Sequence, residues 1–534
     1  MINKPKRWRE ALFSLGVSNF LHLPLWQVLQ GPLYNYYFPD PAALRLHLRD
    51  VLLSIFVVSS LLYGLLAWLR EKGRGEATAA RVVLNGLVIF PAMTGLWSLA
   101  VTFQPELFDR TDTPLICFLG AVWVAFILCW YRFPRVARIT RNAMIVFVAA
   151  LPISVWQVWQ SSAQMPTGAV RSDGHTLFEA SGRAAASSTS PRSPLVWVIF
   201  DELDQSLTFE KPLTPLPNFD RFRQESLYAT AAFPSHYRTV AAIPSMLTGH
   251  LFTAERATAV TTGRSGLNNG YWENRPTLFS SLKAEGKQVA IVGWYNPYCS
   301  ALNQSTVRCF SALAPNGRIE SYILREAWLK RLLQNFATII KYVPLARPIA
   351  IRTGVAGDFN SPGNAKLFRN LFIKEKAEWK SFLQIPYDFL VLHLSVPHLP
   401  ALKSFSTGSS KGDYADNLEI ADETLGEIRN TLERTGQWDG TTLLVTGDHH
   451  LRVDLWGSQL SPRLSAATGG VEQNRTVFLL KVAGQTRPTL YAHPFNTVLI
   501  HDLVLALEHD RSLNVSYWLD TNRDRFPVGP PPRR

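Results

Sequence analysis

Cysteine, charge and cleavage signals are all in short supply in this chain. Only four of its 534 residues are cysteine. Cys117 and Cys129 fall inside an apolar run, where a thiol behaves as a small inert hydrophobe. That leaves Cys299 and Cys309, which either close a small loop in an oxidising compartment or stay free thiols. Charged residues make up 18% of the chain, and long runs in its first third contain almost none. No small-residue cleavage site follows the first apolar segment, which argues against a removed signal peptide. No nucleic-acid motif accompanies the formal charge of +13. Residues 1–160 hold 15 Lys+Arg against 8 Asp+Glu, and the rest hold 39 against 33. About half the excess therefore flanks apolar runs, where membrane topology explains it and a nucleic-acid partner is not needed.

The length calls for two or more domains. In the first third, Val51–Leu69, Val82–Val101, Leu115–Tyr131 and Ala143–Trp159 are long enough, or nearly so, to span a bilayer. A fifth run, Ala11–Leu29, is interrupted by Ser14, Asn19, His22 and Pro24, and reads as a span or an interfacial segment. Basic links (Lys4 to Arg9, Arg70 to Arg81, Arg132 to Arg141) all fall on one side if there are five spans. The positive-inside rule then puts the N-terminus in the cytoplasm and everything after Trp159 outside. The expected organisation is a transmembrane helical domain over 1–160, a Ser/Ala/Gly-rich flexible linker over 161–193, and an extracytoplasmic domain over 194–534.

From Pro194 onward, strands and helices alternate. Leu195–Phe200, Gln288–Gly293, Asp388–Leu394, Thr442–Thr446 and Thr476–Val482 read as buried strands. Pro217–Ser226, Thr277–Glu285, Asp416–Arg434 and Phe495–Leu507 read as helices. This predicts an α/β domain with a mainly parallel sheet flanked by helices, whose ligands sit off the strand C-termini. Arg318–Tyr342 carries apolar residues at helical spacing with interleaved Arg and Lys. It either packs on its own sheet with a solvated basic face or lies on a membrane surface.

Three stretches carry the chemistry. In "VWVIFDELDQ", Asp201 and Glu202 follow a buried strand, and adjacent acids there are costly unless a cation neutralises them. In "TLLVTGDHH", Asp448 and His449 hold the equivalent position. A carboxylate–imidazole set suits Zn²⁺ or Mn²⁺, and all-oxygen ligation would suit Mg²⁺ or Ca²⁺. In "YRTVAAIPSMLTG", Thr239 opens a helix, where the N-terminus favours an alkoxide and cradles a phosphate. A threonine hydroxyl needs a metal or base to act as a nucleophile; otherwise it is a plain N-cap. His398, in "HLSVPHLP", is placed to hydrogen-bond an oxyanion or protonate a leaving group. His393 does similar work or is a core histidine. His450 and His493 are weaker candidates, and Arg238 either pairs with an anionic substrate or lies on the surface.

These stretches, with "LPNFDRFRQESLYATAAFPS" and "PHLP", resemble the sulfatase/alkaline-phosphatase superfamily from about Pro194 to Leu507. Counting back from the "LTG" glycine puts Thr239 at the nucleophile position. Sulfatases carry C/S-x-P-S-R there, and the Pro and Arg are absent after Thr239. With N-terminal spans and an outside domain, the chain looks like lipid A phosphoethanolamine transferases and lipoteichoic acid synthase. That resemblance implies a multi-pass enzyme of the bacterial inner membrane. It would move a phosphoethanolamine- or phosphoglycerol-type group from a phospholipid donor, through phospho-Thr239, to an envelope lipid or glycan. It implies a divalent metal held by Asp201 or Glu202, Thr239, Asp448 and His449, with His398 on the phosphoryl group. The same constellation would serve a membrane-tethered hydrolase of sulfate or phosphate esters. A non-catalytic glycan-binding or scaffold domain is the alternative of another class. Donor, acceptor and oligomeric state are not legible.

Overall fold

Leu195–Asp201 is apolar at every position but the last, and every residue of it is buried. It forms the middle of the sheet in a computed structural model. The structure describes residues 7–30, 41–71, 132–164, 176–179, 194–252, 275–296, 298–302, 305–313, 328–341, 362–402, 413–456, 461–470 and 473–528, with a few positions between 121 and 128. They fall into two compact units.

The larger unit is built on strands β1 Thr176–Glu179, β2 Leu195–Asp201, β3 Leu227–Ala229, β4 Ala232–Phe233, β5 Val289–Tyr295, β6 Arg308–Leu313, β7 Phe389–Pro397, β8 Thr442–Gly447, β9 Phe478–Lys481, β10 Thr489–Tyr491 and β11 Phe495–Asn496. Nine of them make one sheet in the order β1-β6-β5-β7-β2-β8-β9-β3-β10. The central run β6-β5-β7-β2-β8 is parallel throughout. β1 and β9 join it antiparallel. Parallel strands covered on both faces need continuous apolar sequence, and Phe389–Leu392 and Leu443–Val445 supply it. The expected mainly parallel sheet is present. One predicted helix is shifted. Phe495–Asn496 forms a short strand, a 3-10 turn follows, and the helix begins at Ile500. Within the expected linker, helix continues to Gln164 and Thr176–Glu179 forms the sheet's edge strand.

The smaller unit gathers the helices Arg7–Leu21, Leu23–Gln30, Pro41–Glu71, Pro134–Val146 and Ala150–Gln164. Among the described residues, two helices are long and apolar enough to cross a membrane, Leu44–Trp68 and Arg138–Ala163. That is two rather than the five expected. The Val82–Val101 run lies outside the described residues, and Leu115–Tyr131 almost entirely so. The Ala11–Leu29 run is two short helices broken at His22. Its polar residues turn inward: Ser18 Oγ donates to the Ile55 carbonyl at 2.7 Å, and Asn19 Nδ2 to the Phe147 carbonyl at 3.2 Å. Gly16 sits so close to the Met144 carbonyl that a Cβ there would meet the oxygen at 1.8 Å. Small residues allow this kind of close helix approach.

The helix expected over Arg318–Tyr342 is described as Trp328–Lys341. Its N-terminal part, Arg318–Ala327, lies outside the described residues. The helix lies between β6 and β7 in the chain. It belongs to the smaller unit, against Leu23–Gln30 and Pro41–Glu71.

Candidate active site

β2 and β8 end side by side, which is why two acidic motifs far apart in sequence meet. The pairing of β2 with β7 loses register between Phe200 and Asp201. Such irregularities re-aim side chains at strand ends. Glu202 then takes a left-handed backbone conformation, φ 63°. Together these send the two neighbouring carboxylates apart.

Asp201 stays over the sheet edge. Its Oδ2 lies 3.4 Å from Thr239 Oγ1, and its Oδ1 has no hydrogen-bond partner. Asp448 accepts through Oδ1 from the Glu202 amide at 3.0 Å and its neighbour His449's amide at 2.7 Å. Its Oδ2 has no hydrogen-bond partner. Both side chains are fully buried. Burial, then the Asp448 and Glu202 charges, pushes the Asp201 carboxyl well above the usual carboxylate range. Burial lifts Asp448 to about 7.

His449 makes the conflict sharper. Its Nδ1 donates to the His450 carbonyl at 2.9 Å. Burial holds its pKa well below the ordinary histidine value, so the ring is neutral. Nε2 is therefore a bare lone pair, 3.3 Å from Asp448 Oδ2 and 3.7 Å from Asp201 Oδ1. Asp201 Oδ1 and Asp448 Oδ2 are left without a hydrogen-bond partner beside that lone pair, and a cation reconciles the three. Thr239, the first residue of the Thr239–Thr248 helix, brings its hydroxyl to 3.2 Å from that Nε2.

His393 joins this group. Its Nε2 has no hydrogen-bond partner, while Nδ1 lies 2.6 Å from the Tyr298 hydroxyl. Asp201, His393 and Asp448 each place a ligand atom within 4.8 Å of the others, and they form a group able to hold a metal ion. Burial lowers His393 to about 3, which keeps the imidazole neutral as ligation requires. The orphaned oxygens and mixed oxygen–nitrogen donors fit a divalent metal.

Other expected site residues are placed differently. Glu202 is not with the metal group: its carboxylate accepts from Arg452 Nε at 2.6 Å and from Trp456 Nε1 at 3.1 and 3.0 Å. His398 is wedged among Trp294, Phe368 and Trp456, with Arg452 Nη2 3.3 Å from its Nε2. Burial lowers it to about 4, so at neutral pH it is no ready proton donor. His450 is buried beside His449 and near Asp204. Arg238 is exposed at the helix N-cap, over the Tyr237 ring. His493 is exposed on Tyr491 and does not join the buried group.

Two residues escaped the sequence reading. Arg452, four residues after Asp448, bridges Glu202 and His398. Tyr298, in the "NPYCS" turn, reaches His393 across Gly293, where a Cβ would strike its ring at 2.3 Å. The adjacent Cys299 is disulfide-bonded to Cys309, which pins this turn to β6.

A protein-family model, Sulfatase, matches residues 194–498. No curated protein sequence matches the chain. Solved structures that it resembles include a sulfatase from Pseudoalteromonas sp., at 14% identity, TM-score 0.40, 64% of this chain and 70% of that one. The lipoteichoic acid synthase LtaP from Listeria monocytogenes matches at 17% identity, TM-score 0.33, with 59% and 71% covered. The phosphonate monoester hydrolase of Agrobacterium radiobacter matches at 13%, TM-score 0.35, with 59% and 73% covered. By the family match over more than half its length, the chain belongs to the sulfatase family and is a hydrolase or transferase of the sulfatase/alkaline-phosphatase superfamily.

Proposed function

We propose that the protein is a membrane-anchored phosphotransferase. It would take a phospho-head-group of the phosphoethanolamine or phosphoglycerol type from a phospholipid and pass it to an envelope lipid or glycan. The observation that carries this reading is the Thr239 hydroxyl, on the first turn of a buried helix between Asp201 and His449. Asp201, Asp448, His393, His449 and Thr239 would hold a divalent metal, zinc or manganese in preference to magnesium or calcium given the imidazoles. When bound, such an ion lowers the hydroxyl pKa and offsets developing negative charge.

The chain's own residues supply the rest. Asp201 Oδ2 is the acceptor in reach of the Thr239 proton. Thr239 Oγ1 bonds to the donor phosphorus as the bond from phosphorus to the diacylglycerol oxygen breaks, and that oxygen takes up a proton. An acceptor hydroxyl then attacks the phospho-Thr, gives up its proton and restores the threonine. Amides at the helix N-terminus face the phosphate, and Arg238 beside them favours an anion. The two apolar helices and the basic links support an anchor in a bacterial inner membrane with the larger unit outside. The Cys299–Cys309 disulfide fits that compartment.

The test is diacylglycerol release from phosphatidylethanolamine or phosphatidylglycerol vesicles, with the mass of the Thr239 peptide read in parallel. Wild-type protein should release diacylglycerol and carry an added phospho-head-group on Thr239. Thr239→Ala should lower release at least about a thousandfold, as expected for loss of an essential nucleophile. Full activity in that variant would refute the assignment. Free-ester hydrolysis without diacylglycerol release would point to the hydrolase with water as acceptor.

A further inference from the structure

The Trp328–Lys341 helix leaves three large apolar side chains uncovered and takes a charge inward. Among its described side chains, Arg331, Leu332, Asn335, Thr338 and Ile339 are buried, whereas Trp328, Leu329 and Leu333 are 57%, 52% and 59% exposed. Arg331 Nε lies 2.5 Å from Asp50 Oδ2, and the two side chains are only 9% and 3% exposed. A desolvated pair is costly to form, so both partners are held by what surrounds them. It holds Arg331 inward beside Leu332 and Ile339 and leaves Trp328, Leu329 and Leu333 outward. Uncovered Trp and Leu side chains are unfavourable in water and suited to a lipid surface.

We infer that this helix lies in the interfacial layer of a bilayer, with Trp328, Leu329 and Leu333 against acyl chains. The occupant follows from continuity. The helix packs on Pro41–Glu71, whose Leu44–Trp68 stretch is one of the two helices able to cross a membrane. On that helix Leu53 and Phe56 are also exposed. Asp50, which pairs with Arg331, stands near the start of that stretch, where an interfacial helix would meet it. The chain leaves the sheet after β6, contributes this helix, and returns for β7. The inference rests on the membrane reading above and not on the phosphotransfer.

The test places nitroxide labels at Leu329→Cys and Leu333→Cys, in a Cys117→Ala, Cys129→Ala background. The protein is reconstituted in phosphatidylethanolamine–phosphatidylglycerol vesicles. Ile153→Cys, on the second apolar helix, and Tyr517→Cys, exposed on the larger unit, serve as controls. Labels at 329 and 333 should collide several-fold more with oxygen than with a water-soluble nickel chelate, as at 153 and opposite to 517. Lipid exposure at 153 with water exposure at 329 and 333 would overturn this inference alone. Water exposure at 153 as well would overturn the membrane reading itself. Labels shielded from both reagents would mean a protein partner covers the face, and would also overturn it. Asp50→Asn should shift the 333 label towards water, and the Asp50→Arg, Arg331→Asp double variant should restore it. A 333 label unmoved by Asp50→Asn would remove the pair from the proposal.

Discussion

Asp201 and Glu202 are adjacent in sequence and opposite in use. One faces the group of unpaired acceptors, and the other is held by Arg452 and Trp456. The sequence displays both acids, but their directions depend on a register break and a left-handed backbone that composition does not encode. His393 was ambiguous for the same reason, since its value comes from β7 lying beside β2. Tyr298 extends the argument. The hydrogen bond that a ligating imidazole donates from its other ring nitrogen orients it, and losing the acceptor typically weakens metal affinity about 10–100-fold. Tyr298→Phe should therefore lower zinc or manganese affinity by that factor in a competition titration against a chelator, with the secondary structure unchanged. Wild-type affinity in the variant would exclude Tyr298 from the site.

At the scale of elements, most of the larger unit was readable. Continuous apolar runs bounded by Gly, Pro and acids mark β2, β5, β7 and β8, and their ends hold the site. Short edge strands such as β3, β4 and β10 are too brief to show periodicity. The amphipathic pattern of Trp328–Lys341 was visible, but its orientation was not, because the same stripe suits a water-facing or a lipid-facing helix. Another buried contact couples Pro362–Phe382 to β7. Glu375 Oε2 accepts from the Ser395 amide at 3.1 Å and the Ser395 hydroxyl at 2.6 Å. Burial raises this carboxyl from 4.5 to about 8. The folded state thus keeps a proton that the unfolded chain loses above its ordinary value. Stability contributed by the protonated form is full below about 4.5, falls as pH rises, and is lost by about 8. The slope is about 1.4 kcal/mol per pH unit within that window. Glu375→Gln, which cannot titrate, should flatten that part of the profile in thermal unfolding between pH 5 and pH 9. An unchanged slope would mean that Glu375 is ionised in the folded protein.

For the whole molecule, the smaller unit carries a topological argument independent of charge counting. Arg45, near the start of Pro41–Glu71, lies over the ring of Trp159, near the end of Ala150–Gln164, at 5.7 Å. The two apolar helices are therefore antiparallel. If both cross the bilayer, the chain between them crosses an even number of times, none or two. The two apolar runs in that interval, Val82–Val101 and Leu115–Tyr131, would satisfy the second. Exposed Arg138 stands at the start of the second apolar helix, among the basic residues Arg132 to Arg141. On the proposed membrane reading, the positive-inside rule would place it in the cytoplasm and the chain after Gln164 outside. A membrane-impermeant thiol reagent on intact spheroplasts should then label Leu490→Cys, which is exposed on the larger unit, and spare Arg138→Cys until the cells are permeabilised. Labelling of Arg138→Cys in intact cells with protection of Leu490→Cys would invert the topology. The active site would then lie in a reducing compartment, where the Cys299–Cys309 disulfide would not persist.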